Sequence, residues 1–375
     1  MLHFYFYIDP YRIDGCAVSI FILVPSFNPT GPVKGACALA NILAQRFPVT
    51  LVALKGESYP QDGLKLSENI TCHSLATAGG WRQKRAAYRA MLRQGLAPIR
   101  SRPISISMCF SADVVNAFCV KDAETVSSIR SNLFRDYMMG YGLPGLPLAL
   151  FHFLLLNRFS HVVAMTASMA GQIQRFVSRE PIVIGNFVDE QFLEPYRALV
   201  PQGDLRFLFL GSLTVRKQPL LLVQAFADLV SNGVDARLDI VGKGALEADI
   251  RSKVEELGLQ SRVCLHGHLS DPYSLLAAAD VMVLPSLSEG VSRASLEALY
   301  LGVPCVLRDV DGNAELVREG VNGSLFRQDA DLAASMMRAA NLRSINSARS
   351  SLLPEAFTQA HAELCFLRLI ERLQS

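Results

Sequence analysis

The sequence predicts an α/β protein of two Rossmann-like domains whose parallel sheets face each other across a cleft. Short apolar runs alternate with helical patterns at the spacing of βα units, which argues for strands buried on both faces. The pattern occurs twice, cleanly after residue 205 and more loosely before it. Several of the later runs close on glycine at a strand's carboxyl end, where open α/β sheets bind ligands.

In the first half, strands are expected at 18–24 (VSIFILV), 49–54 (VTLVAL), 103–108 and 161–165 (HVVAM). Helices are expected at 35–46, 81–94, 147–158 and 167–177. In the second half, strands are read at 205–211 (LRFLFLG), 236–242 (ARLDIVG), 262–267 (RVCLHG), 281–286 (VMVLPS), 304–309 (PCVLRD) and 323–326 (GSLF). Helical patterns separate them near 218–231, from 245, at 272–279, 292–301 and 313–319. Right-handed crossovers then make each half Rossmann-like. A charged stretch with two prolines, 189–204, reads as the link between domains. The expected division is 1–195, 196–354, and a last helix within 355–375 that packs back toward the first domain. Residues 1–16 precede the first clear element and receive no assignment.

The 375 residues suffice for two or three domains, and the composition is globular: 50% apolar and 19% charged. A net charge of +2 gives the whole chain no nucleic-acid signature. Cysteines at 16, 37, 72, 109, 119, 264, 305 and 365 form no CxxC pair or zinc spacing, so reduced, mostly buried thiols in a cytosolic protein are expected. The N-terminus does not read as a secretory signal: its apolar run 16–24 is short and is bounded by Pro25. The most apolar stretch, LPLALFHFLLL (146–156), falls short of the roughly 20 residues a membrane span needs. It reads as a buried helix, with an interfacial placement as the alternative.

The segment Ser288-Glu289-Gly290-Val291-Ser292-Arg293-Ala294-Ser295-Leu296-Glu297-Ala298 follows a strand and opens a helix. Free N–H groups in that first turn form an anion site, Gly290 admits close backbone approach, and Glu289 and Glu297 can accept bonds from sugar hydroxyls. Taken by spacing alone, a capped surface helix with two solvated glutamates is the favoured reading; the position at a strand's carboxyl end is what lifts the ligand reading. The segment Gly211-Ser212-Leu213-Thr214-Val215-Arg216-Lys217 again ends a strand on glycine, and its two cations suit a leaving diphosphate. A solvated basic turn weighs equally for that segment alone. His266 and His268 alternate on a strand end with no third ligand nearby, so no metal site is expected.

These segments resemble the donor domain of the family-4 retaining glycosyltransferases, which have the GT-B fold. The resemblance also covers VGKG (241–244), LHGHLSD (265–271), AADVMVLPS (278–286), Leu301-Gly302-Val303-Pro304 and Gly312-Asn313-Ala314-Glu315-Leu316, and runs from about 205 to 328. It implies that Glu297 binds the nucleotide ribose, that Arg216 and Lys217 grip the diphosphate, and that Glu289 contacts the transferred sugar. It places Gly211, Gly242, Val263, Gly290, Val291, Ser292 and Arg293 around the donor, with the N–H groups of 291–293 on phosphate oxygens. The loop 28–35 (NPTGPVKG) resembles the family's glycine-rich loop, which brings Gly31, Lys34 and Gly35 to the phosphates and acceptor. Two departures stand out. Ser212 occupies a place where many members have Arg. The first domain's usual His falls at Met108 or Cys109, leaving Arg130 and Asn132 as polar substitutes, with a flexible loop at 127–137 the competing reading.

No acidic residue lies between 69 and 112, whereas Arg82, Lys84, Arg85, Arg89, Arg93, Arg100 and Arg102 do. Arg82, Arg85, Arg89 and Arg93 share a helical face, suited to an anionic membrane or merely solvated. The resulting expectation is a metal-independent, cofactor-free hexosyltransferase using a nucleoside-diphosphate sugar, UDP-linked by preference. Its acceptor would be a saccharide or polyprenyl-diphosphate-saccharide in surface-polysaccharide assembly, with the enzyme cytoplasmic and peripheral on the inner membrane face. Nucleic acid is not expected as a partner. The alternatives are a catalytically degenerate GT-B scaffold and a nicotinamide-dependent dehydrogenase; the latter would need a G-x-G-x-x-G after a strand, and the chain has none.

Overall fold

The computed structural model describes residues 18–56, 64, 66–95, 101–198, 203–344 and 350–374. The expectations for residues 1–16, Cys16 and Arg100, and the middle of the 189–204 link, lie outside these residues.

The first domain runs β1 (Ile20–Val24), α1 (Gly31–Leu43), β2 (Val49–Ala53), β3 (Thr71–Ser74), α2 (Trp81–Gln94), β4 (Ile104–Met108) and α3 (Phe110–Asn116). It continues through β5 (Glu124–Ile129), α4 (Leu133–Tyr141), α5 (Gly145–Leu156), β6 (His161–Ala164), α6 (Ala167–Gln174), β7 (Ile182–Val183) and the short α7 (Glu190–Leu193). The second domain comprises β8 (Leu205–Leu210), α8 (Pro219–Ser231), β9 (Ala236–Val241), α9 (Glu247–Glu256), β10 (Val263–Gly267), α10 (Tyr273–Ala278) and β11 (Val281–Leu284). It ends with α11 (Arg293–Tyr300), β12 (Cys305–Arg308), α12 (Asn313–Leu316), β13 (Gly323–Phe326) and α13 (Leu332–Ala340); α14 (Gln359–Gln374) closes the chain.

Both sheets are parallel. The first has seven strands in the order β3-β2-β1-β4-β5-β6-β7, and the second has six in the order β10-β9-β8-β11-β12-β13. In each the strand order reverses beside the first strand, so the carboxyl ends of the central strands open onto a crevice. The second half is legible because its strands are largely apolar; each lies within two residues of its expected bounds. α14 returns to the first domain, where Ala362, Phe366, Leu369 and Ile370 share a core with Ile20, Ile22, Ile184 and Phe187.

Three expectations for the first half are corrected. The helix expected at 35–46 begins at Gly31, with Pro32 in its first turn, where a missing N–H costs nothing. The stretch weighed as a flexible loop, 127–137, is the end of β5, a turn and the start of α4. β5 escaped because Thr125, Ser127 and Ser128 are polar yet buried. Ser105 and Ser107 on the adjoining β4 are likewise buried, satisfied by Tyr88, Asn116 and Asp113. Finally, α5 is not simply buried. Ala149, Phe153 and Leu156 face the core, while Leu146, Leu150, Phe151 and Leu154 face outward.

Candidate active site

The two domains enclose a cleft of about 1100 Å³. Its second-domain wall is made by the turns after β8, β9, β10 and β11, which bring together segments far apart in the chain. After β8, a 3₁₀ turn over Val215–Lys217 lifts Arg216 and Lys217 toward the loop ahead of α11. Arg216 donates to the Ser288 carbonyl at 2.6 Å and reaches Glu289 Oε1 at 3.3 Å. Lys217 Nζ donates to the same carboxylate oxygen. Burial pushes the Lys217 ammonium below its ordinary value, and Glu289 offsets only part of that. The three side chains form one compact group of two cations and one anion, carrying net positive charge into a low-dielectric cleft.

Asp311 sets the Glu289 loop. Its Oδ2 accepts from Ser288 Oγ at 3.0 Å and from the Glu289 N–H at 3.2 Å, while Oδ1 accepts from Asn132 of the first domain at 2.7 Å. Ser292 caps α11 by accepting from the Ser295 N–H. Glu297 follows one turn into the helix and is buried, not solvated. Its Oε1 accepts from the Tyr273 hydroxyl at 3.4 Å and lies 3.7 Å from Arg293. Burial pushes its carboxyl above the ordinary range, against the pull of Arg293 and Lys34.

The first-domain wall opposes these groups. Lys34 faces the cleft from the first turn of α1, beside Gly31. Arg130, at the end of β5, runs over Gly35, where a Cβ would meet its guanidinium at 2.4 Å, and donates to Asn186 at 2.5 Å. Burial, then the neighbouring Arg293, draws the Arg130 guanidinium down to about 10. Asn186 in turn donates to the Val291 carbonyl, and Arg293 donates to the Phe187 carbonyl, so the domains are laced at the loop ahead of α11. Glu315 accepts from the Ala167 and Ser168 N–H groups at 2.8 Å each, capping α6 across the interface. Gly290 backs directly onto the Arg130 carbonyl.

Thus Gly31, Lys34, Arg130, Gly211, Arg216, Lys217, Gly242, Glu289, Gly290, Val291, Ser292, Arg293 and Glu297 all line the cleft. Gly35 lies just behind, under Arg130, and Asn132 braces Asp311 without lining the cleft. Val263 is corrected: it begins β10 at the end remote from the cleft with its side chain buried, and His268 and Leu269, beyond the strand's other end, line the cleft instead.

The first-domain wall does carry a histidine, though not at Met108 or Cys109. Cys109 instead takes a left-handed backbone (φ 76°) at the start of α3. His152, from α5, is buried between Asp113 Oδ2 (2.9 Å) and the Tyr137 hydroxyl (3.0 Å), and all three line the cleft. Asp136 on α4 lines it too, and burial pushes its carboxyl upward. The sequence reading passed over this group; its one signal was a lone histidine inside LPLALFHFLLL.

Two further expectations change. His266 does have ligand-type neighbours: Asp239 and Cys264 lie within 4.8 Å of it across the β9–β10 pair. Asp239 is already bonded to His266 at 2.6 Å and faces Arg206 at 3.6 Å, and these residues do not line the cleft. The basic face of α2 is also partly spent. Arg89 and Arg93 both donate to the buried Asp122, and Arg85 stacks on Phe118 at 5.1 Å. Among the described residues, no helix is long and apolar enough to cross a membrane.

Residues 194–350 match the family described as Glycosyl transferases group 1. A UDP-Gal:alpha-D-GlcNAc-diphosphoundecaprenol alpha-1,3-galactosyltransferase of Escherichia coli is 34% identical over 159 residues, 38% of this chain and 40% of that protein. The putative glycosyltransferase EpsD of Bacillus subtilis is 32% identical over 126 residues, 34% of this chain and 33% of that one. The chain therefore aligns with about a third to two fifths of the length of these curated relatives. Over nearly the whole chain the fold matches sucrose-phosphate synthase from Thermosynechococcus elongatus (TM-score 0.75, 17% identity, 95% of this chain and 99% of that one). It also matches Anabaena HepE, solved with UDP and glucose (TM-score 0.68, 18% identity, 95% and 100%). The second domain, residues 194–350, is thus similar to the glycosyl transferases group 1 family, and the two-domain architecture that carries it is the GT-B fold.

Proposed function

We propose that the chain is a metal-independent retaining glycosyltransferase that moves a sugar from a UDP-sugar to a hydroxyl of a saccharide or lipid-linked saccharide. The observation that carries this reading is the Arg216–Lys217–Glu289 group at the carboxyl edge of the second sheet, facing Lys34 and Arg130 across the cleft. Bond cleavage at the anomeric carbon throws negative charge onto the leaving diphosphate. Two cations fixed against Glu289 stabilise that charge without reorganising, which is the role a metal would otherwise fill. Holding Glu289 against both cations keeps its carboxylate at the entrance to the donor loop, where it can accept from sugar hydroxyls. Glu297, one turn deeper and bonded to Tyr273, is placed to accept from a ribose diol.

The UDP preference draws on HepE, solved with UDP and glucose, and on the UDP-Gal transferase among the relatives. Retention rests on the family resemblance, and the lipid-linked acceptor on the diphosphoundecaprenol substrate in that relative's name. A thermal-shift screen of UDP-, GDP-, dTDP- and ADP-sugars tests the donor. A ligand at a hundred times its Kd stabilises by about 2.7 kcal/mol. UDP-sugars alone should raise Tm, and radiolabelled transfer to lipid-diphosphate saccharides should then follow. A chain that binds UDP-sugars but neither hydrolyses nor transfers them would be a scaffold.

A further inference from the structure

The hairpin formed by α4 and α5 exposes apolar surface outside the core, most of it outside the cleft as well. Leu143 is 81% exposed, Leu154 69% and Tyr141 63%; Met138, Met139, Leu146, Leu150 and Phe151 are also exposed. No Asp, Glu, Lys or Arg occurs between Tyr137 and Asn157. On α5, Leu146, Leu150 and Leu154 recur at helical spacing on the outward side, with Leu143 in the turn before it, and Ala149, Phe153 and Leu156 hold the inward side in the core. Phe176 extends the surface, stacking on Phe153 at 4.6 Å and meeting Phe134 at 5.2 Å. Contiguous exposed apolar area of this kind marks an interaction site.

Its surroundings identify the occupant. Cations edge the face: Arg158 follows α5 directly and packs on Phe118 at 4.5 Å, Arg85 of α2 covers the same ring, and Arg175 adjoins Phe176. An uncharged apolar surface edged by arginines is complementary to acyl chains beneath anionic headgroups. The same hairpin supplies Met139, Gly140, Tyr141 and His152 to the cleft wall, so what seats on the face also reaches the cleft mouth. We propose that the α4–α5 hairpin seats this protein in the surface of an anionic phospholipid bilayer, with the cleft opening at the headgroup level. This deepens the lipid-linked acceptor reading above. It also shifts the main membrane contact from the arginine stripe of α2, where Arg89 and Arg93 are held by Asp122, to an apolar face.

The test is partition of the full chain onto vesicles of phosphatidylglycerol with phosphatidylethanolamine, against vesicles of phosphatidylcholine alone. Wild type should bind the anionic vesicles and retain part of that binding at 1 M salt, where the Debye length is about 3 Å and exposed charges are screened. The triple substitution Leu143→Gln, Leu150→Gln, Leu154→Gln should lower partition by at least about a hundredfold, because three half-inserted leucines are replaced by polar groups. Its melting temperature and UDP affinity should stay at wild-type values, since none of the three lines the cleft. As a second readout, Leu154→Trp with Trp81→Phe should show a blue shift of its emission on anionic vesicles. Wild-type partition by the triple variant, or an unshifted Trp, overturns the proposal. So does a wild type that ignores vesicles and forms dimers which the triple variant abolishes, since the face would then join copies of the chain. Vesicle binding is measured without turnover, so its failure is distinct from failure of the transferase reading, which the UDP-sugar screen tests.

Discussion

Gly290→Ala isolates what the domain interface contributes to the reaction. A Cβ at this position would lie 2.1 Å from the Arg130 carbonyl oxygen and 2.4 Å from Met165 Cε. The methionine methyl can swing aside, but the backbone carbonyl cannot. Gly290 has no left-handed φ, so alanine is acceptable to its own backbone and the effect is confined to the contact across the cleft. Real Cβ contacts essentially never fall below 3.0 Å, so the donor loop and the end of β5 must part by about 1 Å. A misplacement of that size between reacting groups costs on the order of 10²-fold in rate, or about 2.7 kcal/mol. Arg216, Lys217, Glu289 and Glu297 all belong to the second domain, so UDP affinity by calorimetry should stay within about threefold of wild type. Transfer measured with the donor and acceptor established by the screen should therefore lose kcat while the fold, followed by circular dichroism, persists. Turnover within about threefold of wild type would refute the reasoning, because the closed contact would then have no part in the chemistry.

Four further outcomes follow from the same geometry. Arg216→Ala and Lys217→Ala should each lower turnover by about 10²-fold with unchanged circular dichroism, because each removes charge that stabilises the leaving diphosphate; wild-type rates in both would dismiss that role. Burial lowers the Lys217 pKa, so kcat/KM should fall on the alkaline side at a pH below that of an ordinary lysine, and Lys217→Arg should move that limb upward. Glu297→Ala should weaken UDP binding by about 1.5–3 kcal/mol in calorimetry, the worth of a charge-assisted bond to a ribose diol; an unchanged affinity would count against the ribose assignment. Burial raises the Asp122 carboxyl, but the bonds from Arg89 and Arg93 outweigh it and leave its pKa below the ordinary value. Its stabilising contribution is therefore complete above the ordinary carboxylate pKa and is lost as pH falls through the depressed one, so Asp122→Asn should lose less Tm than wild type between neutral and acid pH.

The second domain was legible from sequence for a physical reason. Strands buried on both faces must be largely apolar, so β11 (VMVL) and the FLFL of β8 stand out as apolar runs, and β9 is broken only by Arg237 and Asp239. The proposed donor groups lie in short segments beyond their ends, Arg216 next to Lys217, and Glu289 in the loop ahead of α11 with Glu297 one turn inside it. Each segment is short in sequence, so motif spacing captures it, although Asp311 and Tyr273, which position the two glutamates, come from elsewhere in the chain. Only the tertiary structure decided the opposite wall. β4 carries Ser105 and Ser107 in the core because Asn116, Asp113 and Tyr88 arrive from other elements to satisfy them, and an apolar-run criterion cannot anticipate such partners. The same holds for His152, which acquires its meaning from Asp113 and Tyr137, and for Arg130, aimed by Asn186. It holds as well for the arginines of α2, whose acidic partner Asp122 lies 29 and 33 residues away. Local physics writes strands, glycine turns and helix starts into the sequence. Which charges remain unpaired and which apolar faces remain bare depends on long-range packing, and that is settled only when the chain folds.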